Sequence, residues 1–316
     1  MTFEHCASII SISITNSKMK AYRDLKTLIA PVSPLILDRI KQIVEDSEKV
    51  YRQKPSEAQD SYLWEHTLHV ASIAHQICRR EHIDSLAPVI AAFFHDAGKF
   101  HEGDYHEDET AEEEVAASLA QKILTEEGVN KTITKAVTDG LTALYNEDVP
   151  DTEVSDIVHD ADFLAKTGHL GVANFFIKGT LRGQILERSL IQSLSQELTY
   201  VSVLPENMRT SAGRKMASGK RPCTLRFFRN LLDELSEHGI GRFHIEETSW
   251  PCPADPSQKI TLQIVLPEEC PECGGRFTTE YSSEKGIKCT KLLADVRCEQ
   301  CPNTYHISFC LPEICS

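Results

Sequence analysis

From Pro34 to His238, apolar positions recur three and four residues apart, the spacing of amphipathic helices. Leu35, Ile40, Ile43 and Val44 mark the first. Tyr62 to Arg80 carries Val70, Ile73, Ala74 and Ile77 on one face. Leu86 to Phe94 is apolar almost all round, as a buried helix should be. Ala111 to Leu124 and Ile133 to Tyr145 continue the series, and Val154, Ile157, Val158, Ala161 and Ala165 mark another inward stripe. Leu225, Phe228, Leu231, Leu232 and Leu235 predict a last long helix, stopping near His238-Gly239. After Gly241 the texture changes. Arg242 to Glu247 and Ile260 to Leu266 alternate, with Pro251, Pro253 and Pro256 between them, and read as short strands. The predicted fold class is mainly α: an all-helical body over residues 34–240 and a small β-rich tail over 241–316. Residues 1–33 read as an N-terminal leader, with Met19 as an alternative start.

Composition narrows the function. With 316 residues, 41% hydrophobic and 25% charged, the chain can bury one large core and a small one. No apolar run reaches the ~20 residues that span a bilayer, and the start lacks the basic segment of a secretory signal, so a cytoplasmic protein is expected. The net charge of −14 argues against a nucleic-acid partner. A small anionic substrate remains compatible if a metal supplies positive charge locally. The acid-rich stretch His101 to Glu114 reads as a solvated loop followed by the first turn of a helix.

Three separated segments suggest one metal site. His95-Asp96 ends the apolar helix, where an imidazole and a carboxylate cost several kcal/mol to bury unless paired or metal-bound. Gly98 lets the chain turn and bring Lys99 toward the same pocket. His66 lies four residues before Val70 and extends that helix's inward face; His69 could share it, whereas His75 and His82 look peripheral. In His159-Asp160-Ala161-Asp162, Asp162 shares the stripe of Val158 and Ala165, while Asp160 sits on the polar side with Asp156 and Glu153. Asp162 is therefore the favoured ligand and Asp160 a flanking group. This mixed nitrogen and oxygen set suits Mn, Fe, Co, Ni or Zn at an open catalytic position, where bound water becomes acidic near neutral pH.

The order His66, His95-Asp96, Asp162 resembles the signature of HD-domain phosphohydrolases. Trp64 to Val70, Phe94 to Phe100 and Asp160 to Leu164 resemble the corresponding motifs. Met208-Arg209-Thr210, with Arg214, Ala217 and Arg221, is similar to the late helix of stand-alone bacterial members. The resemblance implies an all-helical body, metal ligands His66, His95, Asp96 and Asp162, and hydrolysis of phosphate esters, often of nucleotides. In that reading Asp96 and Lys99 are catalytic, Lys99 stabilising charge on the phosphoryl oxygens. Lys99, Arg209, Arg214 and Arg221 would bind the substrate phosphate. Two-metal members carry extra histidines after the HD pair; here only His101 and His106 are near, and Glu113 falls about where one would stand.

Seven of the eleven cysteines fall in the last 47 residues. Cys270-Pro-Glu-Cys273 and Cys298-Glu-Gln-Cys301 form two CxxC knuckles with 24 residues between them, the pattern of a zinc ribbon in a reducing compartment. From Gly241 onward, 7 Lys/Arg stand against 11 Asp/Glu, which favours a structural or protein-contact role over nucleic-acid binding. A second reading keeps the HD scaffold as a ligand sensor that uses the ribbon to bind a partner.

Overall fold

The computed structural model describes residues 22–52, 61–99, 111–146, 148–181, 193–251, 259–285 and 290–310, with isolated positions between. His101, His106, Cys289 and most of the acid-rich stretch lie outside the described residues. The chain is mainly helical, with a strand-rich C-terminal region. The helices are α1 (residues 22–29), α2 (Ile36–Arg52), α3 (Tyr62–Glu81), α4 (Leu86–Phe94), α5 (Glu112–Glu126), α6 (Lys131–Ala143), α7 (Glu153–Ala165), α8 (Gly168–Leu181), α9 (Leu194–Asn207) and α10 (Ser211–Glu237). The strands are β1 (Phe243–Pro251), β2 (Lys259–Pro267), β3 (Phe277–Lys285), β4 (Thr290–Cys298) and β5 (Thr304–Cys310). Helix α1 falls within the stretch read as a leader, and its Leu25 and Ile29 are buried.

Two compact units emerge. The first comprises the described residues up to Leu144 together with Pro150–Ala161. Its centre is α4, whose residues from Pro88 to Phe94 are all buried, as their unbroken apolarity requires. Helices α2, α3, α5 and α6 pack against it. Glycine sets one approach. A Cβ at Gly140 of α6 would lie 2.5 Å from Val154 Cγ1 of α7, so only glycine lets these helices meet so closely.

The second unit comprises Tyr145–Val149 and Asp162 onward. Strands β1 and β2 pair antiparallel, and β3, β4 and β5 form an antiparallel meander. Their inward residues, including Leu262, Ile264, Val296, Ile307 and Phe309, make one apolar cluster. The change of texture at Gly241 marks a change of secondary structure and not a break in packing, because the sheets are bonded to α9. The backbone N–H of Val265 donates to Ser195 Oγ, and that of Gln263 to Thr199 Oγ1, each at 2.9 Å. Cys310 N–H donates to Tyr200 Oη at 3.2 Å. Helix α10 ends at Glu237, with Gly239 left-handed at φ +67° just beyond, where the sequence places the stop.

Candidate metal centre

Helix α3 begins at Ser61, whose Oγ accepts from Trp64 N–H at 3.0 Å. This start fixes the phase that turns Leu63, His66 and Val70 inward. Past Phe94 the chain continues in tight turns, with Ala97 N–H donating to the Phe94 carbonyl and Lys99 N–H to that of Asp96. His95 and Asp96 thus sit at the end of α4, both buried. Gly98 is needed here for space and not for a left-handed backbone: a Cβ would collide with the Glu112 carbonyl at the start of α5.

His95 Nδ1 lies 2.7 Å from the Ala92 carbonyl. A carbonyl only accepts, so Nδ1 carries the hydrogen and the neutral ring presents its lone pair at Nε2. That Nε2 is 3.5 Å from Asp96 Oδ2, and His66 Nε2 is 3.6 Å from the same oxygen. Two ring nitrogens thus face one buried carboxylate oxygen, an arrangement that suits a shared cation. The other oxygen, Asp96 Oδ1, accepts from Lys99 Nζ at 3.0 Å. Lys99 is therefore held against the Asp96 carboxylate.

Helix α7 starts in the first unit, and its unbroken backbone carries Asp162. Ligand atoms of His66, His95 and Asp162 all lie within 4.8 Å of one another. Asp162 Oδ2 accepts from Tyr145 Oη at 2.7 Å and from Lys166 Nζ at 2.6 Å. Asp160 does not lie on a polar side: it is 0% exposed, with Oδ1 at 3.1 Å from His159 Nδ1. Helix α7 is buried all round from Ile157 to Ala165, so its apolar stripe alone cannot separate the two aspartates. Tyr145 was missed by the sequence. It is left-handed at φ 58°, which costs on the order of 1–3 kcal/mol for such a residue and holds its hydroxyl on Asp162.

A family model described as HD domain matches residues 63–166, which include His66, His95, Asp96 and Asp162. The chain carries an HD domain. No curated protein matches the chain. Among solved structures, Bacillus subtilis YpgQ in complex with ADP is 21% identical, over 63% of this chain and 96% of that one, with a TM-score of 0.46. A predicted HD superfamily hydrolase from an uncultured Thermotogales bacterium is 23% identical, over 61% and 91%, with a TM-score of 0.42. An HD-superfamily hydrolase from Bacillus thuringiensis is 19% identical, over 64% and 98%, with a TM-score of 0.44. An HD domain implies a divalent metal, and His66, His95 and Asp162, whose ligand atoms lie within 4.8 Å of one another, fit one by chemistry and convergence.

Of the residues expected to grip substrate, Arg214 donates to the Met208 carbonyl at 2.6 Å and Arg221 pairs with Glu206 at 3.4 Å. Arg209 lies in the turn before α10. Glu113 is buried on α5.

Beyond the HD domain, Cys270, Cys273, Cys298 and Cys301 form a second cluster, with Sγ distances of 3.6 Å for Cys270–Cys301 and 3.5 Å for Cys273–Cys298. Gly274 is left-handed at φ +73°, and the N–H groups of Gly275 and Gln300 each point at a sulfur 3.4 Å away. Burial opposes the Cys270 thiolate, but the Asn303 amide and the N–H groups of Glu272 and Cys273 hold that thiol down to about 6. At Cys301 the Asn303 N–H favours the thiolate, yet burial and the three neighbouring sulfurs push the thiol up to about 12. Four sulfurs this close deprotonate together only around a cation, so the cluster fits a soft metal ion.

Proposed function

We propose that this protein is a metal-dependent phosphohydrolase acting on a phosphate ester of a nucleotide or related small metabolite. The observation that carries this reading is the convergence of the His66 and His95 nitrogens on one oxygen of Asp96, with Asp162 beside both rings. These four residues would hold one ion of Mn, Fe, Co, Ni or Zn. When bound, such an ion supplies an acidic water and positive charge next to a phosphoryl group. The chain's own groups position that chemistry. The Ala92 carbonyl fixes the His95 tautomer, while Tyr145 and Lys166 orient Asp162. Lys99, already on Asp96, is placed to meet charge developing on a phosphoryl oxygen. Arg209, Arg214 and Arg221 are the candidates for substrate phosphate.

The four cysteines hold a structural zinc ion in this reading, because thiolates prefer it. Clustered thiolate ligands of this kind suit a reducing compartment such as the cytoplasm. The tail's acidic balance favours a protein partner over nucleic acid. The test is elemental analysis of the purified full-length protein, joined to hydrolysis assays across nucleotides and sugar phosphates with added manganese, cobalt or nickel. Metal bound through His66 and Asp96, with phosphate released, is the expected result. Stoichiometric metal with no turnover of any phosphate ester overturns it in favour of a sensor.

A further inference from the structure

The outer face of α10 carries a second feature, lined by none of the candidate metal ligands. Between Ser211 and Leu232 the helix holds six Lys/Arg and no Asp/Glu, in a chain of net charge −14. Arg221, Arg226 and Arg229 line an open cleft of about 610 Å³, together with Ser218, Leu225 and Asn230. The one carboxylate there, Glu206, is engaged with Arg221 at 3.4 Å. Arg226 and Arg229 have no ion-pair partner among the described residues. Unpaired guanidiniums side by side repel, so a cleft that gathers them is matched to an anion.

A second cleft of about 460 Å³ adjoins the first, since Arg226 and Asn230 line both. It adds Phe227, which is 42% exposed although its neighbours hold it firmly: Phe228 at 5.5 Å and Phe176 at 6.1 Å between ring centroids. An exposed ring braced by two others offers a flat platform for a planar ligand. Residues 225, 226, 229 and 230 fall on one helical face, with Phe227 at its edge, so phosphate grip and ring platform stand side by side.

We propose that these paired clefts bind a nucleoside 5′-polyphosphate, its phosphates on Arg226 and Arg229 and its base on Phe227, as an effector site in addition to the metal centre. Both volumes lie in the range of small-molecule sites, and the acidic remainder of the chain disfavours a polymer.

The test is isothermal titration of the full-length Asp96→Ala protein with α,β-methylene-ADP, so that neither hydrolysis nor an intact metal centre enters the reading. The R226A/R229A pair should weaken binding at least tenfold, and Phe227→Ala several-fold. Inorganic pyrophosphate should bind more weakly than the nucleotide, and lose that difference in Phe227→Ala. If the alanine pair lowers the melting temperature, R226K/R229K keeps the charge and should retain part of the affinity. Unchanged affinity in the folded R226A/R229A protein overturns the proposal. A 20-nucleotide RNA that binds these arginines more tightly than the nucleotide overturns it in favour of a polymer surface. Neither result touches the hydrolase reading, which rests on His66, His95, Asp96 and Asp162; Arg221, which lines the cleft and is also a candidate for substrate phosphate, is left unaltered in these variants.

Discussion

The two candidate metal clusters are built in opposite ways. At the HD site the candidate donors come from three helices, α3, the end of α4 and α7, and three of the four are held by a neighbour that is not itself a candidate ligand. The Ala92 carbonyl sits behind His95, Lys99 behind Asp96, and Tyr145 with Lys166 behind Asp162. The first unit has its own apolar core around α4, so His66, His95 and Asp96 are positioned without the ion. In the cysteine cluster the donors sit in two short turns, and what lies behind the sulfurs is mostly backbone N–H. There the ion itself completes the local structure. One site borrows order from the fold; the other supplies order to its turns.

Four experiments break or sharpen this contrast, from the largest effect to the smallest. Asp96→Ala should abolish hydrolysis and cut metal content at the HD site, beyond the 10–100-fold typical of losing a supporting group, with the circular dichroism spectrum unchanged. Full turnover by this variant would remove Asp96 from the mechanism. Cys298→Ser should release about one equivalent of zinc, by the four-ligand rule, and expose the knuckles to protease. Strands β4 and β5 should stay protected, since Val296, Ile307 and Phe309 have their own core. If both sheets unfold, the ion carries the whole tail. Tyr145→Phe keeps the ring and deletes the bond to Asp162; roughly tenfold weaker metal binding is expected, read by chelator competition. An unchanged metal affinity would make the left-handed Tyr145 merely structural. Ser195→Ala should cost about 1–3 kcal/mol by leaving the Val265 N–H without its acceptor, and should lower hydrogen-exchange protection in β2 and α9 together. Loss confined to β2 would mean that sheet and helix unfold separately.

Much of this was legible in the chain. The apolar run Leu86 to Phe94 ending in His95-Asp96 could only be a buried helix delivering polar groups, and it is. The knuckles were legible because CxxC spacing encodes its own geometry. Other features follow from packing that no local pattern records. Asp160 looked polar-facing because its helical neighbours Asp156 and Glu153 are polar, yet α7 is enclosed past Ile157. Helix α9 carried no reading from the sequence, and Ser195 and Thr199 find their partners in N–H groups 70 and 64 residues away. Nothing in Tyr145 itself announces a left-handed backbone. Strands β4 and β5 do alternate, as Tyr305, Ile307 and Phe309 show, but that pattern does not say which strand pairs with which; the register is set by the apolar cluster they share.

The bonds from α9 to β2 have a further consequence. Ser195 and Thr199 are one helical turn apart, a rise of about 6 Å. Gln263 and Val265 are two strand residues apart, about 6.6 Å. The near match lets two hydroxyls meet two successive outward N–H groups, as a neighbouring strand would. A two-stranded sheet with an open flank invites another copy of itself to join, molecule after molecule. Here the β2 flank is closed by a helix, which has no further edge to offer, and on that side the invitation to fibre-like growth ends inside a single chain.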